Sequence, residues 1–205
     1  MLTTKGSQAY KSPKKLPRSV APVVAEQART VRLMFPDEAR FGRINDPRRC
    51  WAPLGLRPEV PAQMVREYTD LFGAVSPQDG VLDTLILPQV PAEAMSLFLA
   101  EVAQRHPRDY LLLLLDGAGR HRAHDLVVPD HMRLVFLLPD SSELNPAEPV
   151  WDEIREKWFP HGVFHSLEGV EDRLAKAALY RESHPDRVAS ITGFDWIVNI
   201  PLSAT

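Results

Sequence analysis

One cysteine, Cys50, stands in a chain of 205 residues, so no internal disulfide can form and no cysteine-built zinc site is available. Apolar runs are short as well. The longest, Tyr110 to Leu115, is strand-sized and far below a membrane span. The N-terminus carries lysines but lacks the apolar stretch of a signal peptide. These absences point to a cytoplasmic protein in a reducing compartment, without a membrane partner. Glycine is scarce, 10 residues against 19 prolines, which predicts stiff turns and abrupt element ends. There is no excess of positive charge either. A net charge of −3 argues against a uniformly basic DNA-coating protein, while leaving room for a carboxylate metal site beside a local basic patch.

With 44% hydrophobic and 25% charged residues, the composition is that of a soluble globular chain, and the length suits one α/β domain. Met1 to about Gln27 reads differently. Lys5, Lys11, Lys14, Lys15 and Arg18 are interrupted by Pro13, Pro17 and Pro22, with no acid before Glu26. We therefore expect a basic, largely extended arm over residues 1–28, either a DNA-contacting arm or a solvated tail, and a folded domain over 29–205. Val31 to Pro36 reads as a short strand closed by the proline, and Arg43 to Leu56 as irregular. Strands are expected near Val65–Val75, Val81–Leu87 and Met132–Leu138, with a helix over Pro91–Arg105. The run from Asp109 to Asp116 lacks alternation, which suits a central strand buried on both faces. Pro146–Trp158, Leu167–Glu182 and Pro185–Ile191 read as helices, the second of them started at Ser166. The order predicts an α/β fold: a mixed sheet with helices on its faces.

Three carboxylates fall at element ends. Asp37 follows the first strand, Asp116 ends the most apolar strand, and Glu148 lies in the first turn of a helix. Functional sites gather beyond the carboxyl ends of parallel strands. Clustered carboxylates need cations, and hard divalent ions with oxygen ligands are the natural partners. Each residue also has a plainer reading. Asp37-Glu38 and Asp116-Gly117 fit polar turns, and in Asn145-Pro146-Ala147-Glu148 the glutamate fits a capping box begun by Asn145. Spacing alone leaves these alternatives open.

Three segments carry a resemblance: Phe35-Pro36-Asp37-Glu38-Ala39-Arg40-Phe41-Gly42, Leu114-Leu115-Asp116-Gly117-Ala118-Gly119-Arg120-His121, and Ser142-Glu143-Leu144-Asn145-Pro146-Ala147-Glu148-Pro149-Val150-Trp151. In that order they resemble the DDE transposases of the mariner superfamily, nearest to the bacterial insertion sequence 630 branch. Trp51 to Gly55, Phe72 to Val75, Leu167 to Gly169 and Ile191 to Phe194 add to the likeness, which covers roughly Val31 to Val198. It implies a ribonuclease H-like fold. It also implies a metal-binding catalytic triad of Asp37, Asp116 and Glu148 holding two Mg2+ ions, with Mn2+ able to substitute. The implied reaction is hydrolysis of DNA at transposon ends, followed by attack of the freed 3′ hydroxyl on target DNA.

Two departures from the family pattern stand out. Gly117 occupies a position where the family usually has asparagine, and the 31 residues between Asp116 and Glu148 are slightly fewer than usual. They motivate an alternative: a decayed remnant that folds and binds DNA or a full-length transposase without cutting. A different ribonuclease H-like nuclease, acting on RNA–DNA hybrids or DNA junctions, is a third reading.

Arg40, Arg43, Arg48 and Arg49 form the preferred phosphate-contacting patch, set against ordinary surface charge, and His121 is read as a site-edge residue facing DNA phosphate. His124 is read as structural. Asp140 and Glu143 lie near Glu148 and are substitute ligands, whereas Asp152 reads as solvated. Trp151, Trp158 and Trp196 read as packing residues rather than base-stacking platforms. About thirty residues precede the first strand, and prolines break their helical pattern, so no helix-turn-helix is expected there. The chain is thus expected to be a catalytic half. It would act as a homodimer or with a separate partner polypeptide that recognises DNA ends.

Overall fold

The computed structural model describes residues 16–44, 51–59, 61–87, 91–115, 126–136, 145–160 and 162–202. Among these residues five strands form one sheet: β1 (Val31–Ile44), β2 (Met64–Ser76), β3 (Val81–Leu87), β4 (Tyr110–Leu115) and β5 (Met132–Phe136). Its order is β3-β2-β1-β4-β5. The β1–β2 and β2–β3 pairs are antiparallel, whereas β1–β4 and β4–β5 are parallel. Among the described residues six helices accompany the sheet: α1 (Leu16–Glu26), α2 (Pro91–Arg105), α3 (Glu148–Trp158), α4 (Leu167–Glu182), α5 (Pro185–Thr192) and α6 (Asp195–Val198).

Side-chain alternation along β1 and β4 separates two cores. Leu33, Phe35, Leu112 and Leu114 face one side, where they pack with buried residues of α1, α3, α4, α5 and α6. Met34, Leu111, Leu113 and Leu115 face the other, against Met95, Phe98, Leu99 and Val102 of α2. The unalternating apolar run of β4 is thereby explained: Leu111 to Leu115 are all at most 2% exposed because helices cover both faces.

Two expectations fail. Residues 16–26 are not extended; they form α1, and Val20, Val23 and Val24 are buried in the same core as β1 and β4. Pro17 lies in the first turn, where no N–H is missed. Pro22 lies inside the helix at a cost of about 3 kcal/mol. Burying three valines at roughly 1.5–3 kcal/mol each outweighs that. The folded body therefore includes residues 16–26, and the rest of the expected arm, residues 1–15, lies outside the described residues.

The first strand, likewise, does not stop at Pro36. Residues 31–34 pair with β4 on one side, and from Phe35 to Ile44 the strand pairs with β2 on the other. Pro36 stands just past the last β4-paired residue, where its missing N–H breaks no β4 ladder. Asp37, Arg40 and Arg43 are accordingly strand residues rather than parts of an irregular segment.

The turn between β2 and β3 needs Gly80, at φ 71°, where a Cβ would lie 1.9 Å from the Pro185 carbonyl oxygen at the start of α5. Beyond Ile44 the connection to β2 leaves Trp51 and Leu54 fully exposed. No helix among the described residues is long and apolar enough to cross a membrane.

Candidate active site

Asp37 lies at mid-strand in β1, opposite Gly73 of β2. It falls on the odd-numbered side of the strand, with Phe35 and Ala39, and so turns toward the core that α3 covers. There the indole of Trp151 meets it: Nε1 donates a hydrogen bond to Oδ2 at 2.9 Å. Trp151 is 1% exposed, and its ring lies over Gly73, where an added Cβ would stand 2.3 Å from Cη2. A side chain at that strand position would push the indole off, so Gly73 leaves the room in which Trp151 reaches Asp37.

Glu148 opens the same helix, one turn before Trp151 and on the same side of α3. It is exposed and forms no hydrogen bond or ion pair among the described residues. The capping box did not form. Asn145 Oδ1 accepts from the Ala147 amide at 3.0 Å, an Asx turn that starts α3 one residue before Glu148. Ala147 is the cap residue and has no side-chain cap bond. Glu148 is thus left unused by the helix end that it begins.

A second contact holds α3 in place. Arg181 of α4 is 1% exposed, and its Nη1 lies 2.6 Å from Oε2 of Glu153 on α3. Lys157 reaches the same carboxylate from one turn on. Burial pushes the Glu153 carboxyl upward, but Lys157 and Arg181 outweigh it and hold the group below the usual carboxylate range.

Asp116 follows directly on the last residue of β4, Leu115, and lies outside the described residues. So do Arg48, Arg49, His121, His124, Asp140 and Glu143. Among the described residues no group of three or more histidine, cysteine, aspartate or glutamate side chains comes together to hold a metal ion.

The two described arginines of the expected phosphate patch have protein partners. Arg40 donates to Asp70 through Nε at 2.9 Å and leans over the Tyr68 ring, and the Asp70 hydrogen bond raises its already high pKa. Arg43 pairs with Glu67 at 2.6 Å and donates to the Phe164 carbonyl at 3.0 Å. Asp152 is exposed and sits 3.6 Å from Arg155.

Trp158 packs at a tilt against Tyr180 and Trp196 meets Phe35 edge-on, so both are packing residues. Trp151 packs too, but reading it as packing alone missed its bond to Asp37. Two signals were present: its spacing of one turn from Glu148, and a glycine in the interior of β2.

Residues 32–171 match the family model described as DDE superfamily endonuclease. The uncharacterized protein y4pE/y4sA of Sinorhizobium fredii is 35% identical over 127 residues, which is 62% of this chain and 94% of that protein. Among solved structures, the catalytic domain of Mos1 mariner transposase superposes with a TM-score of 0.55 at 12% identity, covering 100% of this chain and 98% of that one. A Mos1 mariner paired end complex with Mg gives a TM-score of 0.57 at 14% identity, covering 100% of this chain but 65% of that one. The chain thus spans about two thirds of the length of the Mos1 protein in that complex. At such identities the likeness is one of fold, and it makes this sheet and its helices a ribonuclease H-like α/β fold.

Proposed function

We propose that this chain, which belongs to the DDE superfamily endonucleases, is the metal-dependent catalytic domain of a DNA transposase, with Asp37, Asp116 and Glu148 as its metal-holding carboxylates. The observation that carries the reading is the Trp151–Asp37 hydrogen bond, which ties the helix begun by Glu148 to the strand that bears Asp37. Register supports the third member. Met34 is paired with Leu113, and each is followed three residues later by an aspartate, Asp37 in one case and Asp116 in the other. The fit is chemical as well: one carboxylate is half-buried and oriented by an indole N–H, and the other is exposed and unused by its own helix cap.

Asp37, Asp116 and Glu148 would hold the two Mg2+ or Mn2+ ions, which when bound would supply Lewis-acid and charge stabilisation for a displacement at phosphorus. Mos1 complexes with Mg and with Mn support that choice of ions. The chain's own part is to hold the carboxylates at fixed spacing, since little covalent chemistry falls to the protein in such a displacement. No residue need serve as a covalent nucleophile. The substrate class is DNA, first at transposon ends and then at a target. Arg48, Arg49 and His121 remain in the proposal as phosphate contacts, and Arg40 and Arg43 join them by exchanging their present carboxylate partners for phosphate.

The test is nicking of supercoiled plasmid with Mg2+ or Mn2+, using the chain and Asp116→Asn. Metal-dependent nicking should fall by at least about a thousandfold in the variant, the loss that removing charge stabilisation from a phosphoryl-type transition state brings. Metal-independent cleavage, or full activity of the variant, would sink the assignment. Gly117 and the short spacing to Glu148 favour the rival, a folded remnant without cutting activity. That rival is distinguished by a wild-type chain that neither nicks DNA nor gains stability from added Mn2+.

A further inference from the structure

We infer that Trp151 is a positioning residue of this site: its indole N–H sets the orientation of the Asp37 carboxylate and couples it to the helix carrying Glu148, and Gly73 exists to admit the ring. The inference rests on the metal-carboxylate reading above and deepens it by naming what orients the first ligand.

Four observations converge on it. The donor is buried, at 1% exposure, so its hydrogen bond to Asp37 at 2.9 Å competes with little water. A packing tryptophan needs a polar partner for its N–H, but a main-chain carbonyl would serve equally well. Here the partner is Asp37, a carboxylate that the proposed chemistry requires. Gly73 is the residue directly opposite Asp37 in the β1–β2 register, and the indole fills the space that its missing side chain leaves. Glu148 lies one turn before Trp151 on α3, so a shift of the indole moves both carboxylates relative to each other. The Arg181–Glu153 pair pins the same helix from its far side, which keeps the indole from drifting away.

Groups that orient metal ligands through hydrogen bonds are worth roughly 10–100-fold in metal affinity or activity. Trp151→Phe keeps an aromatic ring over Gly73 and deletes the N–H. It should raise the half-saturating Mn2+ concentration, measured by calorimetry and by nicking, about tenfold or more, while KM for DNA stays within about twofold. A change in stability alone would not produce that split.

A measurement on the wild-type chain protects the test against a misfolded variant. The four tryptophans give four indole N–H resonances. At low Mn2+ the Trp151 signal should broaden before those of Trp158 and Trp196, and Asp37→Asn should shift it without metal. Unchanged metal dependence in Trp151→Phe, or a Trp151 signal untouched by Mn2+ that binds elsewhere in the chain, overturns the inference alone. A wild-type chain that binds no divalent ion overturns the metal-carboxylate reading, and the inference with it.

Discussion

At the edge strand β3 the sheet meets its helices through charge. Glu182 at the end of α4 accepts from the Thr84 amide at 2.7 Å and from its hydroxyl at 2.5 Å. Arg105 at the end of α2 lies 3.2 Å from Glu182, 2.9 Å from Glu101 and 3.5 Å from Asp83, and His106 reaches Asp83 at 2.7 Å. At the central strand β1 a buried indole N–H meets the Asp37 carboxylate beside apolar packing, and Arg43 reaches the Phe164 carbonyl. The edge thus has several overlapping contacts among buried and partly buried side chains. The indole contact at the centre is nearly closed to water, with Trp151 1% exposed. Redundancy suits a place where the two faces of the sheet are stapled together, whereas a site that must hold two carboxylates in register gains from a fixed, dry contact.

The contrast predicts unequal damage. Largest should be Glu153→Gln, which leaves the buried Arg181 guanidinium without its countercharge, a loss of about 3–5 kcal/mol by the measure of broken buried pairs. Urea denaturation checks it, and a loss below about 1 kcal/mol would remove the rigid support assigned to α3. Next comes Glu182→Gln at the edge. An amide oxygen still accepts from Thr84 while Arg105 keeps Glu101 and Asp83, so the cost should be about 1 kcal/mol and shrink in high salt. A cost as large as that of Glu153→Gln would erase the distinction between the two regions.

Smallest is a pH effect. Glu153 has its carboxyl held low by Lys157 and Arg181 against the upward push of burial. For Asp79, Ser76 and Arg32 hold it low against the same push. A carboxyl whose folded value lies below its unfolded one contributes stability above the unfolded value, and that contribution is lost as pH falls through the folded value. Thermal midpoints should therefore be level from about pH 7 to 5 and drop below about pH 4. Glu153→Gln should show a shallower acid limb than the wild-type chain.

Legibility in the sequence followed how local the causes were. β3 and α2 run Val81–Leu87 and Pro91–Arg105, as periodicity and Pro91 indicated, because each is bounded by its own turn residues. Ser166 caps α4 as its side chain suggested, accepting from the Gly169 amide at 3.2 Å. Where proline was the guide, the reading failed twice. Pro36 continues a strand because a change of partner spares its missing N–H, and Pro22 sits in a helix because three valines are buried beside it. Asp37 and Glu148 were picked out by motif and element ends, yet nothing local distinguished a capping glutamate from a free one. The short helix α6, at Asp195–Val198, was not expected at all. The contact of Phe164 with Gln63, amide to carbonyl in both directions, bridges distant segments and leaves no periodic trace.

The Trp151–Asp37 bond joins residues 114 positions apart. The β1–β2–β3 meander pairs neighbours along the chain and can form while β4, β5 and α3 are still unplaced. Closing so long a loop is entropically slow, and such non-local contacts form late in folding. A partly synthesised chain would therefore already own the strand that bears Asp37 and yet lack the partner that orients it. That order of assembly leaves the Asp37 carboxylate without its indole partner until the last helices dock.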